Sequence, residues 1–192
     1  MIFDAIEFAM RAHRGQYRKD SRVPYIVHPL GVAEILLEYG GTELLAVAGI
    51  LHDTVEDTPV TLAQIRERFG EEVGRLVEDM TEPDKTWPWE RRKQHTLEVL
   101  KTAPVDLLLV ACADKLDNIR SVRRAYAQLG DAVWARFKRP MEKQRWYYQS
   151  LAQIFLDCVD GGPGDALFRE FISEVVQVFG TDGLDLKVQN EQ

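Results

Sequence analysis

Apolar positions recur with a helical period along almost the whole chain. Phe3, Ile6, Met10 and His13 fall on one stripe of a first helix, which Gly15 ends. A polar, basic loop follows through Gln16, Tyr17, Arg18, Lys19, Asp20, Ser21 and Arg22. The next helix is predicted to start at His28, where Pro29 suits a first turn, and to stop at Gly40-Gly41. Thr42 to Thr54 is apolar nearly all round, the pattern of a central, buried helix. Thr61 with Gln64 forms a capping-box signature, Gly70 breaks the helix that follows it, and Glu71 to Met80 makes another. Residues 81–88 contain two prolines and read as a loop. Helices are expected over Trp89 to Thr102, Val105 to Arg123, Asp131 to Asp157 and Asp165 to Phe179, with a Gly161-Gly162-Pro163-Gly164 linker before the last. The tail from Thr181 is expected to fray. The fold class implied is all-α, a helical bundle of about eight or more helices. Residues 1–160 form the main domain, and residues 161–192 pack on it as linker, C-terminal helix and tail.

Composition narrows what such a bundle can do. The chain has 192 residues and a net charge of −7. That balance excludes a broad surface for nucleic acid or anionic membrane, but not a local basic pocket for one phosphorylated small molecule. No apolar run approaches the roughly 18 residues of a membrane span, and no secretory leader is evident. Cys112 and Cys158 have no metal-type spacing and read as small core residues. A reducing, cytoplasmic setting is expected.

Candidate chemistry gathers around His52-Asp53, at the end of the most apolar helix. An ionisable pair there is costly to bury unless something compensates, and a divalent cation would. Two further donors lie beside apolar helix sequence: His28, at the predicted start of the second helix, and Asp114, after the run Leu107 to Ala113. Two imidazoles and two carboxylates suit Mn²⁺, Fe²⁺ or Zn²⁺ better than Ca²⁺. Taken singly each residue has a plainer use, His28 as a structural histidine and Asp114 as a partner for Lys115 or Arg120. Glu56 and Asp57 follow one helical turn later, and an acid left unligated is a candidate proton acceptor.

Four stretches resemble the HD superfamily of metal-dependent phosphohydrolases, and within it the hydrolase domain of RelA/SpoT-type alarmone enzymes. They are Gly15-Gln16-Tyr17-Arg18-Lys19, Pro24-Tyr25-Ile26-Val27-His28-Pro29, Leu51-His52-Asp53-Thr54-Val55-Glu56-Asp57-Thr58 and Ala113-Asp114-Lys115-Leu116-Asp117-Asn118-Ile119-Arg120. The resemblance spans about residues 1 to 155 and implies an HD-domain bundle and a stand-alone hydrolase. It implies Mn²⁺ held by His28, His52, Asp53 and Asp114, and removal of the 3′-pyrophosphate from a guanosine polyphosphate. It also implies that Glu56 and Asp57 position or deprotonate water, that Arg18 and Lys19 line the nucleotide pocket, and that Asn118 contacts the nucleotide. Asn118 lies four residues after Asp114, so both share a helix face.

One position departs from the family pattern. Trp89 stands where a basic residue is common, which would move a phosphate contact to Arg91 or Arg92. The basic, aromatic stretch 136–148 offers Trp146, Tyr147 and Tyr148 as candidates to line the pocket. Two other functions stay open at this level: an HD phosphohydrolase acting on another nucleotide or phosphate ester, and a non-catalytic nucleotide-binding module. Oligomeric state is open.

Overall fold

A computed structural model describes residues 1–18, 22–82, 84–181 and 184. Among them the chain is helical: α1 (Ile2–Ala12), α2 (Val27–Glu38), α3 (Glu43–Leu51), α4 (Thr54–Asp57), α5 (Leu62–Phe69), α6 (Glu71–Met80), α7 (Trp89–Leu100), α8 (Val105–Leu129), a 3₁₀ segment (Gly130–Arg136), α9 (Met141–Asp157) and α10 (Asp165–Phe179). Its nearest approach to β structure among the described residues is one isolated antiparallel bridge, Tyr17 to Pro24. None of these helices is long and apolar enough to cross a membrane.

Helix α3 sits between two apolar clusters, which is why it is apolar all round. Leu45 and Ala48 pack with α2, α8, α9 and α10, whereas Val47, Ile50 and Leu51 pack with α1, α5 and α6. Gly49 lets α2 approach closely, because a Cβ there would stand 2.8 Å from Leu36 and 3.1 Å from Val32. The second cluster is smaller and relies on Ile65, Phe69, Val73 and Val77 from the α5–α6 pair. Thr61 caps α5 through the reciprocal Gln64 bonds that its sequence signature predicts.

Helices α1, α8 and α9 differ from expectation. Of the expected α1 stripe, Ile6 and His13 face inward beside Ala5 and Ala9, while Phe3 is 82% exposed and Met10 54%. Two alanines let α1 lie close to α3, and Phe3 and Met10 go outward. Helix α8 runs six residues past Arg123, to Leu129, and Gly130, with φ of 55°, ends it. The single helix expected over Asp131 to Asp157 is two elements, because Pro140 cannot donate a backbone N–H and instead precedes the first turn of α9.

Candidate metal centre and substrate cleft

Where α3 ends decides the site. The helix was expected to run through Thr54, but it stops at Leu51. The Thr54 hydroxyl donates to the Leu51 carbonyl at 2.6 Å, and His52 Nδ1 lies 2.8 Å from the Gly49 carbonyl. Two side chains thus take carbonyls that a continuing helix would use. The hydrogen-bond ladder is interrupted at His52 and Asp53, whose backbone stays in the αR region, and α4, which carries Glu56 and Asp57, starts at Thr54.

Four sequence-predicted donors meet at this break. His28 Nε2 is 3.2 Å from Asp114 Oδ1 and 3.7 Å from Asp53 Oδ2. His52 Nε2 is 2.9 Å from Asp53 Oδ2 and 3.8 Å from Asp114 Oδ1. His28, His52 and Asp114 are buried and place one donor atom each within 4.8 Å of one another. Ligands about 2.0–2.2 Å from one ion stand about 3–4 Å apart, so these separations suit a shared cation.

Hydrogen bonding supports the fit. A carbonyl only accepts, so His52 Nδ1 carries the proton and donates to Gly49. Nε2 is then buried with no hydrogen-bond partner, because the Asp53 oxygen lies close but not in line. His28 Nδ1–H donates to Asp117 Oδ2 at 2.6 Å, which turns its own Nε2 lone pair to the cluster. Tyr25 donates to Asp53 Oδ2 at 2.5 Å, Asn118 Nδ2 to Asp114 Oδ1 at 2.7 Å, and Lys115 Nζ to Asp114 Oδ2 at 2.7 Å. Lys115 is thus the Asp114 partner, whereas Arg120 turns away to Glu170 and Glu174.

Electrostatics point the same way. Burial alone would lower the His52 imidazole, but the Asp53 and Asp114 carboxylates override it and push it up to about 9. Burial would raise Asp53 and Asp114; His52 instead pulls Asp53 down, and Lys115 with both histidines pulls Asp114 well below the usual carboxylate range. The cluster therefore favours positive charge at its centre. Burial and the hydrogen bond to Asp53 raise the Tyr25 phenol, so Tyr25 stays a donor.

The cluster lies in the wall of a cleft of about 650 Å³. Glu56 also lines it: burial raises its carboxyl, and Oε2 accepts from the Glu82 backbone N–H at 3.1 Å. Asp57 lines the rim and pairs with Lys85 Nζ at 2.6 Å. Arg18 enters from the loop after α1, held by the bonds of Arg18 N–H to the Val23 carbonyl and Tyr25 N–H to the Gln16 carbonyl. Its guanidinium donates to Asp117 Oδ2 and Asn118 Oδ1, each at 3.1 Å. Lys19 lies outside the described residues.

The Trp89 question resolves in packing. Its ring meets Trp146 and Tyr147 at 6.1 Å each, away from the cleft lining. Neither substitute predicted for the missing cation lines the cleft: Arg91 stacks on Trp87 at 3.8 Å, and Arg92 pairs with Glu82. Lys93 does line it, one turn into α7, as Tyr148 does from α9. Sequence reasoning gave no role to Tyr25, Lys93, Asp117, Arg124 or Arg136, which all line the cleft. For Asp117 a signal existed, since it lies three residues after Asp114 on the same helix face.

Comparison with known proteins agrees with this geometry. A family profile described as HD domain matches residues 5–141. The human guanosine-3′,5′-bis(diphosphate) 3′-pyrophosphohydrolase MESH1 is 46% identical over 126 residues, 64% of this chain and 70% of that protein. An Aquifex aeolicus protein of the same enzyme name, of which the match covers 17%, is 41% identical over 120 residues. Among solved structures, a Listeria monocytogenes protein superposes with a TM-score of 0.75 and 42% identity, over 79% of this chain and 98% of its own. A metazoan SpoT ortholog described as hydrolysing ppGpp superposes with a TM-score of 0.74 and 26% identity, over 93% of this chain and 95% of its own.

Proposed function

The chain belongs to the HD domain family, and on that footing we propose that it is a metal-dependent guanosine-3′,5′-bis(diphosphate) 3′-pyrophosphohydrolase. The observation that carries the reading is the buried set of His28, His52 and Asp114, with Asp53 against both imidazoles, opening on a cleft that also holds Glu56 and Arg18. The substrate follows from the activity named for relatives that match this part of the chain.

We propose Mn²⁺ as the cation, as the resemblance to RelA/SpoT-type hydrolases implies; two imidazoles and two carboxylates suit it as they suit Fe²⁺ or Zn²⁺. When bound, such a cation polarises a phosphoryl oxygen and acidifies water. His28, His52, Asp53 and Asp114 would hold it. Glu56, its carboxyl raised by burial, accepts a proton from the attacking water, and the Glu82 N–H keeps it in place. Asp57, which shares Lys85 with Glu56, helps to orient the same water. Arg18 offers planar N–H donors to the polyphosphate, which Lys19 flanks in sequence. Asn118 fixes both the Asp114 carboxylate and the Arg18 guanidinium, so its contact with the nucleotide is shared with those duties. Lys93, Arg124 and Arg136 supply further positive charge to the cleft of an acidic protein. Cys112 and Cys158 are free thiols, which fits a reducing cytoplasm.

The test is direct. Mn²⁺-loaded protein should convert ppGpp and water to GDP and pyrophosphate. His52→Ala and Asp53→Ala should each fall to about 1% of that rate or lower. Intact ppGpp after incubation with wild-type protein would end the substrate assignment, and a phosphate-release screen over other nucleotides would then identify the ester it cleaves.

A further inference from the structure

We propose that Asp117 is a positioning residue that couples cation binding at His28 to polyphosphate binding at Arg18; this rests on the metal-dependent reading above. One carboxylate oxygen serves both sides. Asp117 Oδ2 accepts from His28 Nδ1–H at 2.6 Å and from the Arg18 guanidinium at 3.1 Å. The side chain is 17% exposed and lines the cleft, so a ligand that reaches Arg18 also reaches this junction.

An anionic partner on Nδ1 makes the opposite nitrogen a better donor to a cation. Arg18 competes for that same oxygen and draws its charge away from His28. When a polyphosphate takes over the Arg18 N–H groups, Asp117 is left to His28 alone and the cation is held more tightly. By linkage the cation must then tighten polyphosphate binding by the same factor.

The fold makes room for this arrangement at one place. Gly31, three residues after His28 on α2, faces the other carboxylate oxygen. A Cβ at Gly31 would stand 2.9 Å from Asp117 Oδ1, so the carboxylate, the free end of its side chain, must move aside. Gly31 is mid-helix and has no backbone need of glycine, since its φ is not in the left-handed region. Alanine would favour the helix itself. Gly31→Ala therefore displaces Asp117 without changing any charge and with no loss of helix propensity.

The experiment titrates Mn²⁺ alone into metal-free protein by calorimetry, with thermal melts to confirm folding. Asp117→Asn should weaken Mn²⁺ by roughly tenfold or more, and Gly31→Ala should weaken it by a smaller factor of about threefold. Arg18→Gln should tighten it severalfold, whereas a role in folding alone would make all three variants bind less well. Asp79→Asn, an acid of the cleft lining without a bond to His28, is the control for net charge and should stay within about twofold. The inference fails if Asp117→Asn and Gly31→Ala bind Mn²⁺ as wild type does, if Asp79→Asn weakens it as much as they do, or if Arg18→Gln weakens it. None of these readings uses a substrate, so loss of the ppGpp assignment would leave them standing. With ppGpp, the effects of Arg18→Gln and Asp117→Asn on KM should be non-additive, and additive effects would overturn the coupling.

Discussion

His52 has three neighbours that explain it. Its Nδ1 is spent on the Gly49 carbonyl, its Nε2 has no hydrogen-bond partner, and two carboxylates raise its pKa. At this scale the sequence was informative where a charge had to be buried, because burial demands compensation. His28, His52, Asp53 and Asp114 were legible for that reason, and Glu56 and Asp57 by their spacing. Tyr25 was not, and Asp117 only as a face-mate of Asp114, since their roles depend on a carboxylate and an imidazole distant in sequence. Glu56 lends itself to a sharp test. Replacing it with Gln keeps its size and leaves the four donors untouched. Turnover of ppGpp should fall by about 10²–10⁴-fold, with Mn²⁺ stoichiometry unchanged by elemental analysis. A Glu56→Gln enzyme running at near wild-type rate would remove it from proton transfer.

Elements were legible in kind and less so in their ends. The capping box at Thr61 is local chemistry and forms as its sequence implies. The end of α3 is decided by side chains that take backbone carbonyls, which periodicity does not register. On α1 the expected stripe holds at Ile6 and His13 and fails at Phe3 and Met10, because alanine carries little weight in a hydrophobic pattern yet permits the closest packing, at Ala5 and Ala9. Between α6 and α7, Glu82 ties the connecting loop to Arg92 and Lys93, 2.8 Å from the latter. Burial would raise the Glu82 carboxyl, but Lys93 and Arg92 hold it below its usual value. A carboxyl depressed in the folded state stabilises above its unfolded pKa, and that stability is lost as pH falls through the folded value. Glu82→Gln should therefore destabilise the protein by roughly 1–2 kcal/mol at pH 7. The melting temperatures of variant and wild type should converge as pH drops from about 7 to 3, and a constant gap across that range would exclude ionised Glu82 as the cause.

The whole molecule packs α10 into the larger apolar cluster. Phe168 stacks on Phe155 with ring centres 5.2 Å apart, and Phe171 meets the same ring edge-on at 5.2 Å. We propose that α10 completes the folding unit begun by residues 1–160. A chain ended at residue 160 should then lose its cooperative melt, and Phe155→Ala in the full chain should cost about 3–5 kcal/mol in denaturant unfolding. Cooperative unfolding of the shortened chain at the wild-type midpoint would contradict this. By itself the sequence determined that the protein is all-α, that α3 is its central helix, and which imidazoles and carboxylates are candidates for a cation. Those follow from periodicity and from the cost of burying charge, and both can be read along one dimension. Only the tertiary structure decided that Trp89 belongs to packing and Lys93 to the cleft, that Tyr148 rather than Trp146 or Tyr147 faces the site, and that Asp117 and Gly31 meet beside His28. Each of those depends on the rotation of one helix against another, and side-chain pairs across such contacts leave no periodic trace in the chain.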